Sequence, residues 1–452
     1  MLTIHGYQRP KDSSELALKK ALTVRPFSIV KPQFQPKYPV YHEDKKYLYL
    51  PKHFGIERYG QVPSQRDVPE TPEVHWQFAG SIRPAQIPVV NSFLFPEPHD
   101  GIISLHTGGG KTVCALYIAS RLRVPTLVII HNSFLRDQWI DRVKAFLPNA
   151  RIGRVQADVC DVADKDIVIV MLQTLSMKEL NVDVFKPIGF VIVDECHHIA
   201  SEVFVQALPK VTSKYMLGLS ATPDRKDKLM YAIHWFLGPL LYKSETGDSV
   251  DTKVNVEVYE YQNDDPVFNE IVTSSQGMVS VPIMVNKLTA CEDRTAWLCR
   301  IIEDVMDTDR QMLVLSDRVQ HCEDLLAGLT PELQEKACIL STAVKSDVRT
   351  EYCKTKAILI ATYSMCREGF DVPTLNTLLM ATPRPDIDQI VGRILRVEKK
   401  GRVVHPLIVD IVDPQFRRQF GQRNSLYKKR EYRVTKMALP SSSTQTAAEG
   451  ED

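Results

Sequence analysis

The apolar positions fall into distinct regimes along the chain. From about residue 81 they gather into short runs rich in Val, Ile and Leu, at 126–130, 167–171, 190–193 and 215–219. Near-continuous apolar strands of this kind belong to parallel sheets covered on both faces. Between the runs the spacing turns helical. Over 134–146, Leu135, Trp139, Val143 and Phe146 fall on one side, which predicts a helix with Trp139 in the core. The alternation resumes later, with a helix predicted over 295–306 and strands at 311–315, 357–361, 377–380 and 407–411. Residues 243–290 break the rhythm and carry Gly247, Pro266, Gly277 and Pro282, so they read as an irregular segment. Strands alternating with helices predict α/β units built on parallel sheets.

Residues 1–80 have a different texture. Prolines recur from Pro10 to Pro72, which excludes long helices after Leu22. A short helix is predicted over 14–22 and a strand at 47–50. A mild excess of Lys and Arg suits either a small β-containing accessory domain that touches nucleic acid or an appendage with a solvated basic face. The expected organisation is therefore 1–80 accessory, 81–242 first α/β domain, 243–438 second α/β domain with a basic C-terminal helix, and 439–452 a polar tail.

Composition narrows the class without naming a partner. A net charge of +1 and 44% hydrophobic residues are ordinary for a globular protein of 452 residues. The nine cysteines are scattered without a Cys-x-x-Cys pair, which argues against a disulfide framework or a zinc knuckle and fits a reducing compartment. No run approaches the ~18 apolar residues of a membrane span, and the N-terminus lacks a signal-peptide core. The expectation is a soluble intracellular protein.

The chemistry lies in five short stretches. An apolar run, Gly101-Ile102-Ile103, leads into Leu105-His106-Thr107-Gly108-Gly109-Gly110-Lys111-Thr112. Strand, glycine loop, lysine, hydroxyl and helix make a phosphate-binding loop, in which backbone N–H groups and a helix N-terminus cradle phosphate oxygens. Lys111 then reaches the outer phosphates and Thr112 sits on Mg²⁺. The strict motif has glycine where this chain has Leu105. Phe190-Val191-Ile192-Val193-Asp194-Glu195-Cys196-His197 ends a strand in two carboxylates: Asp194 to hold Mg²⁺, Glu195 to polarise the attacking water. Ser220-Ala221-Thr222 ends the next apolar run. Gln389, Arg393 and Arg396 recur at i, i+4 and i+7, one helical face on which arginines converge on an anion. Upstream, Gly369 and Asp371 sit in Glu368-Gly369-Phe370-Asp371, where Asp371 either accepts from a ribose hydroxyl or orients the arginines.

In that order, these stretches resemble the motifs of a superfamily 2 helicase, from about residue 83 to 413. Arg83-Pro84-Ala85-Gln86 resembles the adenine-reading element of the XPB-like branch, which also tolerates leucine before the phosphate loop. Within it the chain looks most like tailed-phage branch-migration helicases, and next like poxvirus-type transcript-release helicases. The resemblance implies two tandem RecA-like domains, ATP and Mg²⁺ as cofactors, and a catalytic set of Lys111, Asp194, Glu195, Gln389, Arg393 and Arg396. It also implies nucleotide contacts from Arg83, Gln86, Thr107, Gly108, Gly109, Gly110, Thr112, Gly369 and Asp371. His197, Ser220 and Thr222 would couple hydrolysis to movement. Asn132, Gln173, Thr174, Arg318 and Thr362 would touch nucleic acid after their strands. The implied protein is a monomer acting on forked, branched or partly single-stranded DNA, free of the membrane, in the cytoplasm or nucleoid of an infected cell.

The strongest local partner signal is 415–436. It holds Arg417, Arg418, Arg423, Lys428, Lys429, Arg430, Arg433 and Lys436 against Glu431 alone, with Phe416, Phe420, Tyr427 and Tyr432 interleaved. Basic groups neutralise phosphates and aromatics stack on bases. The alternative is an amphipathic terminal helix whose aromatics are core.

Overall fold

The structure is a computed structural model that describes residues 1–25, 37–62, 73–106, 108–198, 204–221, 229–244, 254–273, 279–306, 309–341, 343–344, 346–366, 372–395 and 404–437. It divides into two compact units, Met1–Thr246 and Gly247–Asp452. Among the described residues no helix is long and apolar enough to cross a membrane.

The first unit is built on an eight-stranded sheet. Its order is Val159–Cys160, Ile152–Gln156, Ile167–Met171, Thr126–Ile130, Phe190–Val193, Tyr215–Ser220, Gly101–Ser104 and Leu240–Lys243. All neighbours are parallel except the first pair, an antiparallel hairpin. Because strand side chains alternate between faces, the β-branched runs feed two separate cores. Leu127, Ile129, Val168, Val170, Val191 and Val193 pack into one. Val128, Ile130, Ile167, Ile169, Phe190 and Ile192 pack into the other. Helices Lys111–Leu122 and Ser133–Phe146 cover the second face, burying Cys114, Leu116, Ile118, Trp139 and Val143.

The N-terminal residues form a four-stranded antiparallel sheet, ordered Leu2–Thr3, Gly6–Pro10, Tyr47–Leu50 and His42–Glu43. Helices Glu15–Ala21 and Lys52–Tyr59 pack on it. Its apolar residues, among them Tyr7, Leu18, Leu22, Leu48, Leu50 and Phe54, belong to the same core as the first face of the large sheet. Phe54 meets Trp235 edge to face at 5.1 Å between ring centroids. An ion pair completes the attachment: Lys52 Nζ lies 2.6 Å from Asp100 Oδ2 and donates to the carbonyls of Ser213 and Lys214 at 3.0 and 2.7 Å. Asp100 Oδ1 accepts from the Met216 amide at 2.9 Å. These contacts sit where strands Gly101–Ser104 and Tyr215–Ser220 begin.

The second unit carries a seven-stranded, wholly parallel sheet. Its order is Ala337–Leu340, Ile358–Thr362, Met312–Ser316, Thr377–Met380, Leu407–Val412, Asn255–Glu260 and Arg433–Lys436. Two sequence expectations change here. Residues 243–290 are not simply irregular, since Asn255–Glu260 is an interior strand with a half-alternating pattern, followed by helix Val281–Thr289. The basic stretch is not one helix: Arg417–Lys429 is helical, and Arg433–Lys436 returns as the edge strand beside Asn255–Glu260. The arginine face starts in a short helix, Asp388–Val391, after which Arg393 and Ile394 donate to the carbonyls of Ile390 and Val391 in tight three-residue turns, and Arg396 lies outside the described residues.

Burial alone would raise the Asp100 carboxyl pKa, but Lys52 and His53 outweigh it and hold it below the usual carboxylate range. A lowered folded pKa means this pair stabilises the fold above the unfolded value of about 3.9 and is lost as pH falls through the folded one. Asp100→Asn strands a buried ammonium and is expected to cost about 3–5 kcal/mol at neutral pH. Urea unfolding across pH 2–7, about the range in which a paired aspartate titrates, should show the loss and a flattened acid limb; equal acid limbs in both proteins would contradict it.

Candidate active site

The glycine loop grows out of strand Gly101–Ser104 and ends on helix Lys111–Leu122. Leu105 at its start is buried in the core and its amide donates to the Ser220 carbonyl at 3.0 Å. This position faces inward, which gives an apolar side chain a place there. Gly108 and Gly110 have φ of +86° and +83°, a conformation open to glycine. A Cβ on Gly110 would stand 2.2 Å from Gln86 Nε2, so the loop and Gln86 leave no room for a side chain.

Gln86 is buried, and its Nε2 donates to the Gly109 carbonyl at 3.2 Å while its Oε1 accepts from the Arg83 amide at 2.9 Å. Arg83 Nη2 reaches the Gly108 carbonyl at 3.4 Å. Arg83 and Gln86 therefore take up carbonyls of the loop itself. The first amides of helix Lys111–Leu122 lack intrahelical acceptors, as at any helix start, and suit an anion.

Strand Phe190–Val193 delivers the carboxylates to the same end of the sheet. Lys111 Nζ donates to Glu195 Oε1 at 3.0 Å. Glu195 has φ +47°, a left-handed backbone that a non-glycine residue holds only when its surroundings demand it. His197 Nδ1 lies 3.5 Å from Glu195 Oε2 and 3.2 Å from Ser220 Oγ, linking the carboxylate strand to its neighbour. Asp194, 7% exposed, accepts from the Trp139 indole at 2.8 Å through Oδ2 and from the Glu195 amide at 3.0 Å through Oδ1. Burial, then the Glu195 charge, pushes its pKa up to about 6 against the pull of Lys111. Burial also raises the Cys196 thiol, so this cysteine is a core residue and not a nucleophile.

These residues fit a hard cation with phosphate. Thr112 and Asp194 offer oxygen donors, and among the described residues no cluster of three His, Cys, Asp or Glu exists that would chelate a metal by itself. A cation held by one or two protein oxygens and completed by phosphate and water is the habit of Mg²⁺.

The other predicted site residues are distributed as follows. Thr107, Thr222, Gly369, Asp371 and Arg396 lie outside the described residues. Gln389 is half-buried in helix Asp388–Val391, and Arg393 is buried. Asn132 Oδ1 caps helix Ser133–Phe146 by accepting from the Leu135 amide at 2.8 Å. Gln173 Nε2 donates to the His131 carbonyl at 2.6 Å, so the segments after two adjacent strands meet. Thr174 is buried and accepts from the Ala157 amide. In the second unit, Arg318 follows strand Met312–Ser316 and Thr362 ends the adjacent strand Ile358–Thr362. Arg318 Nε donates to Asn286 Oδ1 at 2.7 Å, and the Thr362 and Ser364 hydroxyls share a hydrogen bond.

The basic stretch requires a correction. Arg423, expected on nucleic acid, is 1% exposed and forks onto Asp410, itself 0% exposed, with Nε 3.0 Å from both carboxylate oxygens. It also donates to the carbonyls of Arg384 and Ile411, and Tyr427 OH donates to Asp410 Oδ2 at 2.8 Å. A guanidinium this fully paired has no donors for phosphate. Phe416, Tyr427 and Tyr432 are core, and Arg430 pairs with Asp388 at the start of the short helix before Arg393. Arg417 and Lys428 remain exposed. The sequence reading also missed a second role of Trp139: it is core as expected, yet its one polar atom serves Asp194. Nothing in the local spacing marks that bond.

Comparison with known proteins follows this geometry. The family profile described as "Type III restriction enzyme, res subunit" matches residues 79–225. A protein of Acanthamoeba polyphaga mimivirus, named for an ATP-dependent RNA helicase, is 30% identical over 445 residues, covering 95% of this chain and 85% of its own length. Among solved structures, Dbp5 of S. cerevisiae bound to RNA and ADP BeF3 aligns over 78% of this chain and 90% of its own, at 13% identity and a TM-score of 0.54. The ATP-dependent type ISP restriction-modification enzyme LlaBIII bound to DNA aligns over 81% of this chain and 32% of its own, at 13% identity and a TM-score of 0.56. The fold is thus that of tandem RecA-like α/β domains.

Removing Arg423 leaves Asp410 buried and uncompensated. Arg423→Ala is expected to lower stability by about 3–5 kcal/mol. In urea melts a cost below about 1 kcal/mol, the range of an exposed pair, would return this arginine to the surface.

Proposed function

This chain belongs to the superfamily 2 helicases, and on that premise we propose that it is an ATP-dependent DNA translocase that unwinds or branch-migrates forked and junction DNA in viral replication, recombination or repair. The observation that carries the reading is the Lys111–Glu195 ion pair beside buried Asp194 at the mouth of the glycine loop. The amides of Gly108 and Gly110 and the Lys111 ammonium bind the triphosphate, with Arg83 and Gln86 at the adenine side, while the Gly109 amide donates to the His106 carbonyl within the loop. Mg²⁺, held by Thr112 and Asp194, supplies charge neutralisation on the phosphate oxygens when bound. Binding of phosphate draws Lys111 away from Glu195 and leaves that carboxylate to accept a proton from the attacking water. His197, bonded to both Glu195 and Ser220, passes the change at the phosphates to the neighbouring strand end. Gln389, Arg393 and Arg396 are assigned to the charge that develops in the transition state.

DNA as the substrate is favoured by the resemblance of Arg83-Pro84-Ala85-Gln86 to the XPB-like branch. The mimivirus relative, named for action on RNA, favours a second reading in which the same motor works on RNA or a transcript. Asn132, Gln173, Arg318 and Thr362 are the proposed strand contacts in either case, with Arg417 and Lys428 as outer phosphate contacts.

Lys111→Ala is expected to reduce nucleic-acid-stimulated ATP hydrolysis by on the order of a hundredfold or more and to abolish strand separation. Unwinding by that variant with ATP would remove the assignment. Side-by-side assays on forked DNA, four-way junctions, simple duplexes and RNA duplexes decide the substrate. Greatest activity on branched DNA is the expected result, and activity confined to RNA would replace it with the second reading.

A further inference from the structure

Asp194 is oriented entirely by neutral donors. The Trp139 indole N–H occupies one lone pair on Oδ2 at 2.8 Å, and the Glu195 amide occupies one on Oδ1 at 3.0 Å. A carboxylate has about four such acceptor positions, so two remain, and the two bonds fix the direction in which they point. Trp139 is 0% exposed and sits in the second turn of helix Ser133–Phe146. That helix is fixed at its start by the Asn132 cap, and the segment before it by Gln173 on the His131 carbonyl. Its indole packs in the core with the N–H on Asp194. An arginine in its place would orient the carboxylate equally well, but would neutralise it and repel a cation.

We propose that Trp139 is a positioning residue for the divalent cation: its N–H sets the rotation of the Asp194 carboxylate while leaving its full negative charge available. The inference rests on the reading of Asp194 as a cation ligand. It predicts that loss of the N–H weakens cation binding even where the aromatic packing is kept. Outer-shell hydrogen bonds of this kind are worth on the order of tenfold or more in metal affinity.

The test is titration of Mn²⁺, followed by electron paramagnetic resonance, into the full-length protein saturated with a non-hydrolysable ATP analogue. Trp139→Phe keeps a ring and removes the donor. Trp139→His keeps a donor, because imidazole Nε2 superposes on indole Nε1. The expected result is Mn²⁺ binding weakened on the order of tenfold in Trp139→Phe and near wild type in Trp139→His, with both proteins folded by circular dichroism. Wild-type affinity in the phenylalanine variant, or equal weakening in both, overturns the proposal and assigns Trp139 to packing alone. If the phenylalanine variant does not fold, the histidine variant decides: near wild-type affinity supports the proposal and tenfold-weakened binding overturns it. If the wild-type protein binds no Mn²⁺ with nucleotide, the underlying reading of Asp194 fails instead.

Discussion

Two adjacent carboxylates at the end of a buried strand repel one another, and Lys111 stands against Asp194 and Glu195 to offset that repulsion. Its ammonium, 3.0 Å from Glu195 Oε1, ties the glycine loop to the end of the carboxylate strand. The rest of the first unit serves that placement. The order of the sheet sets strand Tyr215–Ser220 between the strands that carry the loop and the carboxylates. Ser220 is thereby fixed where it binds the loop through the Leu105 amide and the carboxylate side through His197. The pairwise parallel register makes three successive strand ends into one surface, the position at which open α/β sheets hold ligands.

The opposite end of the same sheet carries a different kind of polar group. Asp100 and Lys52 are as buried as Asp194, but they form a pair whose remaining bonds go to backbone and to His53. Together with the shared core, this joins residues 1–25 and 37–62 to the first unit. Anchoring contacts at the strand starts and chemistry at the strand ends keep the two functions apart, so the attachment of the N-terminal sheet does not compete for the residues of the site.

What was legible in the sequence is what a few consecutive residues determine. The apolar runs predicted the interior strands because strands buried on both faces must be apolar throughout. The glycine loop and Asp194-Glu195 were visible because backbone approach and strand-end charge are local properties. Partnerships across long separations were not visible. Arg423 and Arg417 look alike in a basic stretch, and only Asp410, placed on a strand by the fold, separates a core arginine from a surface one. The edge strand Arg433–Lys436 is all exposed side chains and exists through its pairing with Asn255–Glu260, so no apolar pattern announces it. Trp139 was read correctly as core, yet an indole always brings an N–H that needs a partner when buried. That requirement was the available signal, and it pointed to an acceptor without saying which one.

The difference between the buried acids of the two units follows from the kind of donor each one meets. In the second unit Asp413 is forked by Arg294, at 2.7 and 2.9 Å, and Asp410 by Arg423, so each charge is matched by a guanidinium with almost no exposure. Pairs of this kind are complete: adding a cation would gain little and breaking one would strand its partner. In the first unit Asp194 meets an indole and an amide, which satisfy its hydrogen-bonding geometry but not its charge. That carboxylate is buried and oriented, and in the proposed reading a hard divalent cation carrying phosphate is its ligand. Asp410 and Asp413 in the second unit are already neutralised, and the distinction from Asp194 lies in neutral donors at one strand end and guanidinium at another.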